Sequence, residues 1–188
     1  MVLMLLNKEQ QQQLLAVARA SIQHGLQTGY ALKINIADYP RALTEYRATF
    51  VTLELEQQLR GCIGRLEATR PLIEDVAENA FLAAFQDPRF PPLAMDEFAE
   101  LEIHISLLTA SVPFEFRSEQ DLIKQLQPNI DGLILVEGYR QGTFLPSVWA
   151  QLPEPKQFLR HLKQKAGLAA DYWSDTIKVY RYQVESIA

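Results

Sequence analysis

The chain has a single cysteine, Cys62, among its 188 residues. One thiol cannot close an internal disulfide, which fits a reducing, cytoplasmic setting. Nor can it hold an iron–sulfur cluster, which needs several thiolates. Histidine is almost as scarce. His24, His104 and His161 are scattered without ligand spacing, so neither a bound metal nor a cofactor is expected. Basic charge is not in excess either: 18 Lys and Arg against 23 Asp and Glu leave a net charge of −5. A basic face is the usual footprint of nucleic-acid binding, so RNA or a nucleotide ranks last among the expected partners. Long apolar runs are also missing. The opening Met1-Val2-Leu3-Met4-Leu5-Leu6 has no basic residue before it and no small-residue cleavage pattern after it. It is too short for a signal peptide or a membrane span, so no membrane association is expected.

What is present is ordinary for a globular protein: 48% hydrophobic and 22% charged residues, enough to bury a core. No internal repeat, linker or charge block divides the chain, which predicts one domain over residues 7–187. Asn7 with Gln10 three residues on forms a relative of the capping box. Leu14, Leu15, Ala18, Ile22 and Leu26 then recur at helical spacing, and Gly25 and Gly29 fall where a helix would stop. Thr49 to Ile63 reads as two strands joined at Glu56-Gln57-Gln58. Pro71 suits the first turn of a helix buried through Leu72, Ile73, Val76 and Ala80, with Glu74, Asp75 and Glu78 outside. Asp87-Pro88-Arg89-Phe90-Pro91-Pro92 ends it, because prolines forbid helix and central strand alike.

Leu101 to Thr109 alternates cleanly as a strand, with Glu102, His104 and Ser106 on its polar parity. Ser118 and Asp121 open a further helix. Asn129-Ile130-Asp131-Gly132 turns the chain into Leu133 to Val136, followed by a hairpin about Gly138-Tyr139. Val148 and Trp149 anchor an irregular stretch, and Phe158, Leu159 and Leu162 mark a helix stopped at Gly167. In the last stretch, Thr176 to Glu185, the apolar parity switches, which suggests a bulge.

The chemistry-bearing stretch is Leu59-Arg60-Gly61-Cys62-Ile63-Gly64. Glycines inside a strand mark a bend or a close approach of something to the backbone. Gly61 and Gly64 therefore leave the thiol open to a ligand or to a packed element. Cys62 is a candidate nucleophile, with Arg60 on its strand face to favour the thiolate and His104 on a neighbouring strand as candidate base. The alternative is a small buried cysteine that fills a gap where nothing larger fits. Arg60 and Arg89 are candidates for gripping an anion, since a guanidinium fork matches carboxylate or phosphate. The alternative for each is an internal ion pair with Glu67, Asp87 or Glu102. Gly142-Thr143-Phe144-Leu145-Pro146 lacks the glycines and lysine of a phosphate loop. Phe90 and Trp149 are expected in the core.

Taken in order, Phe50-Val51-Thr52-Leu53, Leu59 to Gly64, Pro71-Leu72 and Asp87 to Pro92 resemble the AMMECR-type domain family. So do Asp131-Gly132-Leu133, Gly142 to Pro146 with Trp149, and Lys165-Ala166-Gly167-Leu168. Arg65 departs from the pattern, which has a small hydroxylated residue there. The resemblance implies an α+β fold: a mostly antiparallel sheet with packed helices, in two subdomains enclosing a cleft lined by the signature. It brings no established activity. Related domains occur beside or fused to Memo-type and radical-SAM proteins, so the resemblance implies such a partner. Two functions are then in view. One is binding of a small anionic ligand, or of a modified residue of a partner, through Arg60, Gly61, Gly64 and Arg89, with Cys62 and His104 as candidate catalytic groups. The other is a non-catalytic adaptor docking through the same signature.

Overall fold

The computed structural model describes residues 6–188. Met1 to Leu5, most of the apolar opening, lie outside the described residues. The chain runs α1 (Lys8–Thr28), α2 (Arg41–Thr44), β1 (Thr49–Leu55), β2 (Gln58–Gly64), α3 (Leu72–Phe85) and β3 (Glu102–Leu108). It continues β4 (Val112–Pro113), α4 (Glu119–Gln125), β5 (Gly132–Glu137), β6 (Arg140–Phe144), α5 (Pro155–Lys165), β7 (Lys178–Tyr182) and β8 (Val184–Ile187). Two four-stranded sheets form, in the orders β2-β1-β3-β8 and β4-β7-β5-β6. With the helices they make the α+β, antiparallel architecture expected. The chain divides into two compact units: residues up to Thr109 with Glu185–Ala188, and Ala110–Val184.

The bulge expected near the end of the chain is absent: β7 pairs with β5 in unbroken register from Lys178 to Tyr182, although the apolar parity switches within it between Val179 and Tyr182. β7 belongs to the second sheet and β8 to the first, so the chain changes sheets at Gln183.

In the first unit α1 opens as its capping residues require. Gln10 N–H donates to Asn7 Oδ1 at 2.9 Å, and Asn7 N–H donates to Gln10 Oε1 at 3.0 Å. Replacing Asn7 with Ala is expected to cost about 1 kcal/mol in urea denaturation, the usual worth of a helix cap. The helix ends on Gly29 at φ 80°, where glycine has no steric penalty. Gly25 is not a stop. It lies inside α1 because a Cβ there would meet the Phe85 and Phe81 rings of α3 at 2.4 and 2.8 Å. The missing side chain lets the two helices approach.

Asp75 also departs from expectation. It is buried rather than outside, because α3 turns it onto the start of β1. Its Oδ2 accepts from Thr49 N–H at 3.1 Å, Thr49 Oγ1 at 2.6 Å and Asn79 Nδ2 at 3.0 Å. Arg65 Nε stands 3.3 Å from Oδ1. Burial pushes the Asp75 carboxyl above its usual range, against the hydrogen bonds from Thr49 and the charge of Arg65 and Arg70.

The second unit packs around Trp149. Its indole stacks on Phe158 at 3.7 Å and 7°, and its N–H donates to Asp131 C=O at 2.8 Å. A Cβ on Gly132 would meet the Tyr182 ring at 2.4 Å. Asp131, Gly132, Leu133, Gly142 and Trp149 are buried in this unit.

Candidate functional site

The first sheet has two different faces. Val51, Leu53, Ile103, Ile105 and Leu107 are buried in the core shared with α1 and α3. The opposite face carries Cys62 and Gly64 of β2, Phe50, Thr52 and Glu54 of β1, and Glu102, His104 and Ser106 of β3. Register fixes this grouping, because directly paired residues point to the same side: Phe50 pairs with Gly64 and Ser106, Thr52 with Cys62 and His104, and Glu54 with Glu102. Arg60 has no direct partner, because the ladder shifts between Leu53, paired with Gly61, and Glu54, paired with Leu59, and leaves it in a bulge.

The two glycines of the signature have structural reasons. A Cβ on Gly61 would lie 2.2 Å from Ala83 O, so β2 and α3 meet backbone to backbone. On the other face a Cβ on Gly64 would meet the Phe50 ring at 2.3 Å. The phenyl ring of the paired strand occupies the space beside that glycine.

β2 is an edge strand, and the proline-rich loop covers its edge at the thiol. Cys62 N–H donates to Asp87 Oδ2 at 2.9 Å, and Arg89 Nη2 donates to Cys62 C=O at 3.2 Å. Arg89 closes on Asp87 through Nε at 2.9 Å and Nη2 at 2.7 Å. Asp87 is buried, and its carboxyl is held well below the usual carboxylate range. The Arg89 side-chain bonds are the largest cause, and the N–H groups of Cys62 and Arg89 add to them against the cost of burial. The loop thus packs on the signature and turns Cys62 into a clamped backbone position.

Arg60 makes a bidentate pair with Glu97, Nε to Oε1 at 2.7 Å and Nη2 to Oε2 at 2.9 Å. These bonds hold the Glu97 carboxyl below its usual range. The remaining guanidinium nitrogen, Nη1, is buried without a hydrogen-bond partner among the described residues. Phe90 lies between the two guanidinium groups, its ring centroid 6.0 Å from Arg60 Cζ and 5.5 Å from Arg89 Cζ. Phe90 is only partly buried, because its ring lies beside both cations.

Cys62 is half-buried, and Thr52 Oγ1 donates to its Sγ at 3.2 Å. His104 pairs with Thr52 from the other side, so Cys62 and His104 stand two strand spacings apart, about 10 Å. They share a face without touching. His104 faces Glu54 at 3.4 Å and Glu102 at 4.0 Å. Glu102 and His104 also line a cavity of about 370 Å³ with Arg19 and Leu101. Glu97, Thr52 and Glu54 were not among the residues singled out by sequence. Their partners lie on other strands or across the proline loop, and linear spacing carries no trace of them.

No helix among the described residues is long and apolar enough to cross a membrane. The chain as a whole is similar to known proteins along most of its length. A protein of Methanothermobacter thermautotrophicus is 35% identical over 182 residues, covering 96% of this chain and 94% of its own. A protein of Thermotoga maritima is 38% identical over 149 residues, covering 78% of this chain and 80% of its own. The crystal structure of an uncharacterized protein from Pyrococcus horikoshii superposes with a TM-score of 0.88 at 32% identity, covering 96% of this chain and 92% of that one. The AMMECR1 family model matches residues 15–187. The chain belongs to the AMMECR1 family.

Proposed function

We propose that the first sheet, beside Arg60 and Cys62 on its edge strand, binds a small ligand, or a modified residue of a partner protein, through an anionic or strongly accepting oxygen. The observation that carries this is Arg60 Nη1, a buried donor with no acceptor among the described residues. A buried donor left unpaired costs about 1–3 kcal/mol, so an acceptor that reaches Nη1, from a ligand or from water, is favoured. Glu97 fixes the plane of the guanidinium through bonds from Nε and Nη2, and Nη1 is thereby aimed in advance. Glu97 and Asp87 also offset the charges of Arg60 and Arg89. Recognition would then rest on directed hydrogen bonds more than on net charge. Cys62 and the Phe90 ring supply the neighbouring contacts.

Thermal-shift titration with inorganic phosphate, short carboxylates and a metabolite panel tests this, since a ligand that binds only the folded state raises Tm. Arg60→Lys keeps a cation opposite Glu97 but has no rigid third donor. It is expected to stay folded and to weaken binding by tenfold or more, the worth of a charged hydrogen bond. A panel without a stabilising anion, or equal binding by the lysine variant, would refute the assignment.

A further inference from the structure

We infer that Glu54, Glu102 and His104 form a binding site for one divalent transition-metal ion of the zinc class. This site is separate from the anion site and does not rest on it, because neither Cys62 nor Arg60 is among its ligands. The three residues come from two adjacent strands. Glu102 and His104 alternate along β3 onto one face, and Glu54 of β1 is the direct cross-strand partner of Glu102. Their donor atoms all lie within 4.8 Å of one another. His104 Nε2 is 3.4 Å from Glu54 Oε2 and 4.0 Å from Glu102 Oε2. Tetrahedral bonds of about 2.1 Å separate donors by roughly 3.4 Å, so only small carboxylate rotations would be needed.

Two further observations point to a cation. His104 Nε2 sits between two carboxylates, in a side chain that is 39% exposed, without a well-directed hydrogen bond to either. Glu54 and Glu102 are like charges placed directly opposite each other, an arrangement that destabilises a sheet unless something positive lies between them. One imidazole and two carboxylates suit zinc and its neighbours in the first transition row. Three protein ligands leave a coordination position open. Histidine spacing along the chain gave no hint of this, because the ligands converge across strands.

The test uses the intact chain, stripped with a chelator and then titrated with Zn²⁺ by calorimetry and thermal shift. One ion per chain is expected. Glu102→Gln and His104→Gln should each weaken binding at least tenfold, and Cys62→Ser should leave it unchanged. Glu54→Gln discriminates by sign. In chelator it should leave Tm unchanged or raise it, since a repulsion is removed, while in zinc it should abolish most of the metal-induced rise. If His104→Gln fails to fold, Glu102→Gln carries the same test at a residue whose side chain is 57% exposed. No zinc-dependent shift at millimolar ion would overturn the site, as would zinc binding lost in Cys62→Ser. A Glu54→Gln variant losing as much stability in chelator as in zinc would show an ordinary histidine–carboxylate pair and overturn it too.

Discussion

Gly61→Val is expected to unfold the first unit or to cost at least about 4 kcal/mol, beyond the usual range for overpacking. The obstacle is backbone, not side chain. A Cβ at position 61 would lie 2.2 Å from the Ala83 carbonyl oxygen and 3.0 Å from its carbon. Ala83 is buried within α3, where no rotamer change can withdraw it. The helix would have to leave the sheet, exposing the core that Val76, Ala80 and Leu53 share. Gly138→Ala is the matched control. Gly138 has φ +58° and no heavy atom within 4 Å of an added Cβ, so only the left-handed backbone is penalised, at about 1 kcal/mol. Urea midpoints of the two variants give the comparison. Gly61→Val no worse than Gly138→Ala would mean that β2 and α3 are not in backbone contact.

The second large effect is at Asp87. Asp87→Ala is expected to cost about 3 kcal/mol at neutral pH, mostly from leaving the Cys62 N–H without an acceptor beside a buried gap. Arg89 adds little to that figure, because its side chain is 54% exposed and water screens the pair. A pH dependence follows from the depressed carboxyl. A group whose folded pKa lies below its unfolded value of about 4 stabilises fully above that value, and the stabilisation is lost as pH falls through the folded pKa. Wild type should therefore lose stability relative to Asp87→Asn on acidification below about pH 4, with the two curves converging. The same variants should alkylate faster at Cys62, because the loop that clamps both its N–H and its C=O is released. Parallel acid limbs for wild type and Asp87→Asn, together with an unchanged alkylation rate, would show that the carboxylate is not the clamp.

The sequence by itself determined the elements and the family. Helix starts were legible at Asn7 and Ser118 because a cap is a local hydrogen bond between residues three apart. The strand Glu102–Leu108 was legible because burial on one face imposes alternation. Proline stops needed no partner to be recognised. Tertiary structure alone decided which partner each polar group finds. Arg60 meets Glu97 across 37 residues and a loop, and Asp75 turns inward because Thr49 and Asn79 satisfy it. Glu54 reaches His104 only because β1 lies beside β3. Periodicity reports that a face is buried, but not against what. Strand order and register are long-range choices that the whole core settles at once, so they leave no local mark in the chain.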